Sequence, residues 1–193
     1  MGKIFYIMGK SSSGKDTIFK RLTQELNYKT IILYTTRPIR DGETNGTEYY
    51  FVDELALADL EKKGRVIEVR AYNTKCGIWK YFTADDGQID LENYDYIVIG
   101  TLQSYQATCR YFGNNRLVPI YIEVENGERL QRALHRERLQ SDPKYAELCR
   151  RFLADEEDFS EENLREAGVT KRFQNTSVDE CLDKIRRYIQ GFE

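Results

Sequence analysis

Gly9-Lys10-Ser11-Ser12-Ser13-Gly14-Lys15-Asp16-Thr17 decides how this chain is read. It follows a short apolar run, Ile4-Phe5-Tyr6-Ile7-Met8, and precedes an amphipathic stretch. Strand, glycine-rich loop and helix in that order turn a G-x-x-x-x-G-K spacing into a phosphate-binding loop. Gly9 and Gly14 let the backbone curl so that successive N–H groups point inward as an anion nest. A helix beginning near Lys15 adds its positive dipole end and unpaired N–H groups. Lys15 is a compact charge that can reach outer phosphates. The alternative is a Ser/Gly turn ahead of an ordinary helix.

The position after Lys15 usually carries Ser or Thr, whose hydroxyl binds Mg²⁺. Here it is Asp16, with Thr17 next. A carboxylate suits a hard cation, so Asp16 and Thr17 are the candidate metal ligands. Asp16 read without a metal simply begins the helix, where an acidic residue is favoured.

The 193 residues suggest one domain, and 40% hydrophobic residues suffice for a core. A formal net charge of -3 argues against a broadly basic nucleic-acid binder. Any anion site must therefore gather its cations locally. Cys76, Cys109, Cys149 and Cys181 form no C-x-x-C pair and give no sign of a zinc site or a disulfide framework. They fit a reducing compartment. The first apolar run is only a strand long and leads straight into the loop, so no secretory leader and no membrane span are expected. The expected setting is cytoplasmic.

Strand-like and helical patterns alternate. Strands are expected over 4–8, 30–34, 47–52, 66–72, 96–99 and 117–124, with Pro119 marking an irregular start to the last. Helices are expected over 17–27, with Ile18, Leu22 and Leu26 on one face, and over 53–62, with Asp53 as N-cap and Gly64 just past the end. Further helices are expected over 102–112, 128–139, 143–158 and 179–189, the last with Leu182, Ile185 and Ile189 at helical spacing. This βαβ alternation implies a parallel sheet flanked by helices. The strand-rich middle, about 34–82, reads as an insertion that forms a second binding surface.

Within it lies Thr35-Thr36-Arg37-Pro38-Ile39-Arg40-Asp41-Gly42-Glu43-Thr44-Asn45-Gly46-Thr47-Glu48-Tyr49-Tyr50-Phe51-Val52. Two arginines three apart, then a turn and a tyrosine, can bind an anion, since the guanidinium fork matches phosphate. Taken alone the stretch reads equally as a polar hairpin connection.

With the phosphate loop, this stretch resembles the guanylate kinase family, whose monophosphate site carries the pattern T-T-R-x-x-R-x-G-E-x-x-G-x-x-Y-x-F. The likeness runs from Lys3 to about Ile189 and is sharpest over 4–17 and 35–68. It implies a P-loop NTPase-type α/β fold: a single domain over 1–193, with a core over 1–33, 94–127 and 159–193. It also implies a small mixed NMP-binding insertion over 34–93 and a helical lid over 128–158. The implied activity transfers the γ-phosphoryl of ATP, with Mg²⁺, to a nucleoside monophosphate, GMP or dGMP first. Gly9, Lys10, Ser11, Ser12, Ser13, Gly14, Lys15, Asp16 and Thr17 would hold the ATP. Arg37, Arg40 and Tyr49 would hold the acceptor phosphate, and Glu68 a guanine edge. Arg132, Arg136 and Arg151 would join Lys15 in neutralising charge in the transition state. Read only from their neighbours, Glu68 is a strand carboxylate and the three arginines are a solvated, ion-paired helix face.

The partners implied are small-molecule nucleotides, with no nucleic-acid polymer and no membrane, in a monomer or homodimer. Three departures stand out. Leu33-Tyr34 fills the place of a base-reading serine, a tyrosine about nine residues past Glu68 is replaced near Cys76, and 97–103 has no carboxylate. Thr101 or Gln103 is the substitute contact considered. The lone histidine, His135, reads as a helix-surface residue. Two other readings remain: a related P-loop kinase for another phosphorylated small molecule, and a non-catalytic binding module on the same scaffold.

Overall fold

The computed structural model describes residues 2–26, 28–74 and 77–192. Asn27 and Cys76, both touched by the sequence reading, lie outside them. Cys109, Cys149 and Cys181 are free thiols, the first and last buried. No helix among the described residues is long and apolar enough to cross a membrane.

A five-stranded sheet, entirely parallel, runs β2-β7-β1-β8-β9, with β1 Ile4–Met8, β2 Lys29–Thr30, β7 Tyr96–Ile99, β8 Leu117–Glu123 and β9 Arg172–Gln174. Both faces are covered, which is why its central strands read as unbroken apolar runs. Phe5, Ile7, Ile97, Ile120 and Ile122 face α1 (Lys15–Glu25) and α7 (Val178–Gln190) through Ile18, Leu22, Leu182, Ile185 and Ile189. Ile4, Tyr6, Met8, Val98 and Tyr121 face α3 (Leu102–Phe112) and the segment carrying Phe159 and Leu164. Pro119 sits inside β8, opposite Tyr6 on β1. β9 joins the other side only from Tyr121, so the missing N–H falls where that side has no strand partner.

The expected single strand over 30–34 splits instead. Lys29–Thr30 joins the core sheet, while β3 (Tyr34–Thr35) opens a second sheet ordered β4-β3-β6-β5. That sheet uses β4 (Tyr50–Phe51), shorter than the expected strand, and a long antiparallel hairpin of β5 (Val66–Thr74) and β6 (Gly77–Ala84). A bulge between Val66 and Glu68 shifts the register. It lets Val66 and Val69 share one face with Tyr34, Leu57, Phe82 and Ala84, packed under α2 (Glu54–Lys62). Glu68 and Arg70, paired with Thr83 and Tyr81 across the ladder, turn to the other face. Asp53 caps α2, accepting from the Ala56 N–H at 2.8 Å, as its sequence position predicts.

The helices expected over 128–139 and 143–158 are α4 (Asn126–Arg138) and α5 (Tyr145–Asp158), which pack on each other. A short α6 (Glu161–Glu166), β6 and β9 are additions that the sequence reading lacks.

Candidate functional site

The loop after β1 lies beyond the carboxyl end of a central parallel strand, where α/β folds bind ligands. Ser12 and Gly14 both adopt positive φ, 64° and 83°, which curls the backbone. Gly9 is required by contact: a Cβ there would stand 2.5 Å from the Ile122 carbonyl oxygen. At Gly14 a Cβ would meet the Asn175 amide nitrogen at 2.4 Å. Asn175 is buried and donates to the Ser13 carbonyl at 2.8 Å, pinning the loop from β9. No side chain caps the start of α1, so its first N–H groups have no side-chain acceptor and are open to an anion. The Ser13 hydroxyl is buried without a partner.

Lys15 is mostly covered, and its Nζ lies 3.7 Å from the exposed Asp16 carboxylate. Thr17 is exposed on the same turn. No cluster of three or more His, Cys, Asp or Glu residues assembles among the described residues. Asp16 beside a phosphate nest nonetheless fits Mg²⁺, which commonly takes one or two carboxylates and completes its shell with water and substrate phosphates.

Helices α4 and α5 bear directly on the loop. The buried Arg129 donates to the Ser11 carbonyl at 3.3 Å and to Asp155 at 3.1 Å, hydrogen-bonds Glu156, and lies 4.2 Å from the Phe152 ring centroid. Asp155 also accepts from the Ser11 N–H at 2.8 Å, and Lys10 pairs with Glu156 at 2.8 Å. Arg136 donates to the Ser12 hydroxyl at 3.2 Å. Arg132 donates to the Asn175 carbonyl at 3.2 Å while pairing with Glu128 at 2.9 Å. Arg151 lines one recess with Ser11, Ser12, Arg129 and Arg136. It lies 3.7 Å from Glu147 and 4.0 Å from Glu137. The structure thus gathers Arg132, Arg136 and Arg151 around the loop. It adds Arg129, Asp155 and Asn175, which the sequence reading lacks. His135 is exposed on α4.

The second sheet carries the other constellation. Arg37 is buried and forks onto Glu43 at 2.6 and 2.7 Å, with the Tyr49 and Phe51 rings 5.3 and 5.1 Å away. The Arg37 hydrogen bond, opposed by burial and helped by the Arg40 N–H, holds the Glu43 carboxyl down at about 2. Arg40 itself is exposed. Tyr49 packs edge-on to Tyr81, with ring centroids 5.6 Å apart. Burial raises the Tyr49 phenol; Tyr81 and Asp16 also raise it, while Arg37 and Arg70 lower it. The Tyr49 phenol therefore sits in the field of both the arginine stretch and the first turn of α1. Tyr81 stands thirteen positions after Glu68, beyond the expected spacing of about nine, and β6 brings it beside Tyr49. Tyr34 does not replace the missing serine in this face. It turns back into the α2 side, stacked on Phe82 and hydrogen-bonded to Asp86.

Glu68 is nearly enclosed, its side chain 7% exposed. It accepts from Arg70 Nε at 2.9 Å and Nη2 at 3.3 Å and from the Thr83 hydroxyl at 2.8 Å. Arg70 reaches across to the Thr101 hydroxyl at 3.3 Å, at the N-cap of α3. Of the two substitute contacts considered, Thr101 joins this network and Gln103 is exposed.

A glycine loop opening the helix after the first strand of a parallel sheet, with helical arginines docked on it, defines a P-loop fold with an anion nest. Comparison with known proteins narrows the class. The guanylate kinase family model matches residues 1–78. The guanylate kinase of Nitrosomonas europaea is 38% identical over 69 residues, 35% of this chain and 34% of the relative. That of Malacoplasma penetrans is 27% identical over 183 residues, 90% of this chain and 81% of the relative. The chain thus spans about a third of the length of the first relative and four-fifths of the second. The guanylate kinase structure from Anaplasma phagocytophilum shares the fold, with a TM-score of 0.71 at 18% identity over 98% of this chain and 85% of that one. Over its first 78 residues the chain is thus similar to the guanylate kinase family, and over nearly its whole length it shares a guanylate kinase's fold.

Proposed function

We propose that this protein transfers the γ-phosphoryl group of ATP to a nucleoside monophosphate, with GMP or dGMP as the acceptor. What supports the reading is Tyr49, whose ring lies 5.3 Å from the Arg37 guanidinium and edge-on to Tyr81, and whose phenol is within electrostatic reach of Asp16 in the phosphate loop. In this reading two anion cradles border one cleft, as a transfer between two phosphates requires.

In this reading the loop N–H groups and Lys15 hold the triphosphate. Arg37, Arg40 and Tyr49 hold the acceptor phosphate, and Glu68 faces the base. Mg²⁺ at Asp16 would neutralise charge on the phosphates. An acceptor phosphate oxygen attacks the γ-phosphorus as the bond to the β–γ bridging oxygen breaks, releasing ADP. The attacking oxygen is already anionic, so positioning and electrostatics carry the catalysis and no general base is needed. Arg132, Arg136 and Arg151 surround the loop from α4 and α5, where they exclude water and meet the charge as it spreads.

A coupled assay of ADP release across nucleoside monophosphates tests this. ATP- and Mg²⁺-dependent turnover with GMP or dGMP supports it. No turnover with any nucleoside monophosphate overturns it.

A further inference from the structure

We infer that Arg70 is a specificity-determining residue. With Glu68 it forms a paired donor–acceptor edge that selects bases carrying a carbonyl beside a ring N–H. These are the 6-oxopurines and 4-oxopyrimidines. The inference rests on the acceptor reading above for what enters the cleft.

The bulge at Val66/Glu68 puts Glu68 and Arg70 on the face opposite the α2 core, in register with Thr83 and Tyr81. On that face Tyr49 meets Tyr81, and its phenol feels Arg70 as well as Arg37. Arg70 therefore stands between the Arg37–Tyr49 cluster and the Thr101 cap of α3. A guanidinium has five N–H donors. Three of Arg70's contacts are accounted for, two to Glu68 and one to Thr101. A carboxylate accepts at about four positions, and Glu68 uses three, two for Arg70 and one for Thr83. Donor capacity and acceptor capacity thus remain side by side on a pair whose side chains are only 10% and 7% exposed.

A lactam edge presents C=O next to N–H and satisfies both at once. Adenine and cytosine present the reverse, an amino group and a bare ring nitrogen. They would set donor against donor and lone pair against carboxylate, and a nearly enclosed polar edge rejects a mismatched partner strongly. A purely structural strut between β5 and α3 is the competing explanation for the pair.

Calorimetric binding of guanosine, inosine and thymidine monophosphates against adenosine and cytidine monophosphates decides between them. We expect wild type to prefer the oxo bases by at least about 100-fold. Arg70→Met should cut that preference about tenfold or more, with Arg70→Lys recovering part of it. Thr101→Val severs the strut but spares the pair, and should leave the preference intact. Equal wild-type affinity for adenosine and inosine monophosphates would overturn the inference. So would an Arg70→Met variant that weakens all five ligands alike. Selective binding without phosphoryl transfer would sink the kinase reading and leave this one standing.

Discussion

The phosphate loop and the arginine–tyrosine sheet are built in opposite ways. The loop works through backbone, with two positive-φ residues, a glycine pressed on Ile122 and an uncapped helix start. The sheet works through side chains whose charges are already partly answered from within, Arg37 by Glu43 and Arg70 by Glu68. A backbone nest is preorganised and tolerant of what it holds, whereas paired side chains can discriminate, because a poor partner leaves buried polar groups unmet. The contrast suggests that affinity resides in the loop and selectivity in the sheet.

Substitutions can break or sharpen that contrast. Lys15→Met removes the cation at the start of α1, and kcat should fall about 10³-fold while the melting temperature barely moves. A normal kcat would mean that the nest does not contact the transferred group. Arg129→Met takes away the charge that ties α4 to Asp155, Glu156 and the Ser11 carbonyl, leaving the Asp155 carboxylate without its cation. Chemical denaturation should register a loss of about 3 kcal/mol.

Glu43→Gln strips the buried Arg37 of its anion and should cost about 2 kcal/mol. Its pH signature is directional. The folded carboxyl titrates at about 2 rather than at the ordinary 4.5, so it stabilises the fold above the unfolded value. That contribution is lost as pH drops from about 4.5 toward 2. The variant should lack this part of the acid limb in a stability profile, and an unchanged limb would count against the Arg37–Glu43 pair. The smallest effect belongs to the exposed Arg40. Arg40→Ala should leave stability within about 0.5 kcal/mol and raise the acceptor KM about tenfold, with the KM for ATP unaltered.

The sequence made the loop legible because its chemistry is local: strand, glycines and lysine all lie within residues 4–17. The central apolar strands were equally plain, since a sheet covered on both faces leaves its strands apolar throughout. The partners of the loop were not legible. Arg129 looks like one more charge on a helix face until Asp155, 26 positions on, folds against it. Asn175 reaches Ser13 across 162 positions. The run 30–34 reads as one strand because it is β-rich throughout, and in the structure Ile31 and Leu33 are both buried. Nothing in its pattern marks where the chain leaves one sheet for the other. Tyr81 and Arg70 gain their meaning only from the hairpin register, which a bulge sets and no periodicity announces.

The central claim is that both cradles border a single cleft. Calorimetry with a bisubstrate analogue, adenosine and guanosine joined through five phosphates, tests it most directly. The account predicts one molecule bound per chain, far tighter than ATP or GMP alone, with the gain erased by Lys15→Met and reduced by Arg40→Ala. Binding no tighter than ATP alone, and indifferent to Arg40→Ala, would contradict it.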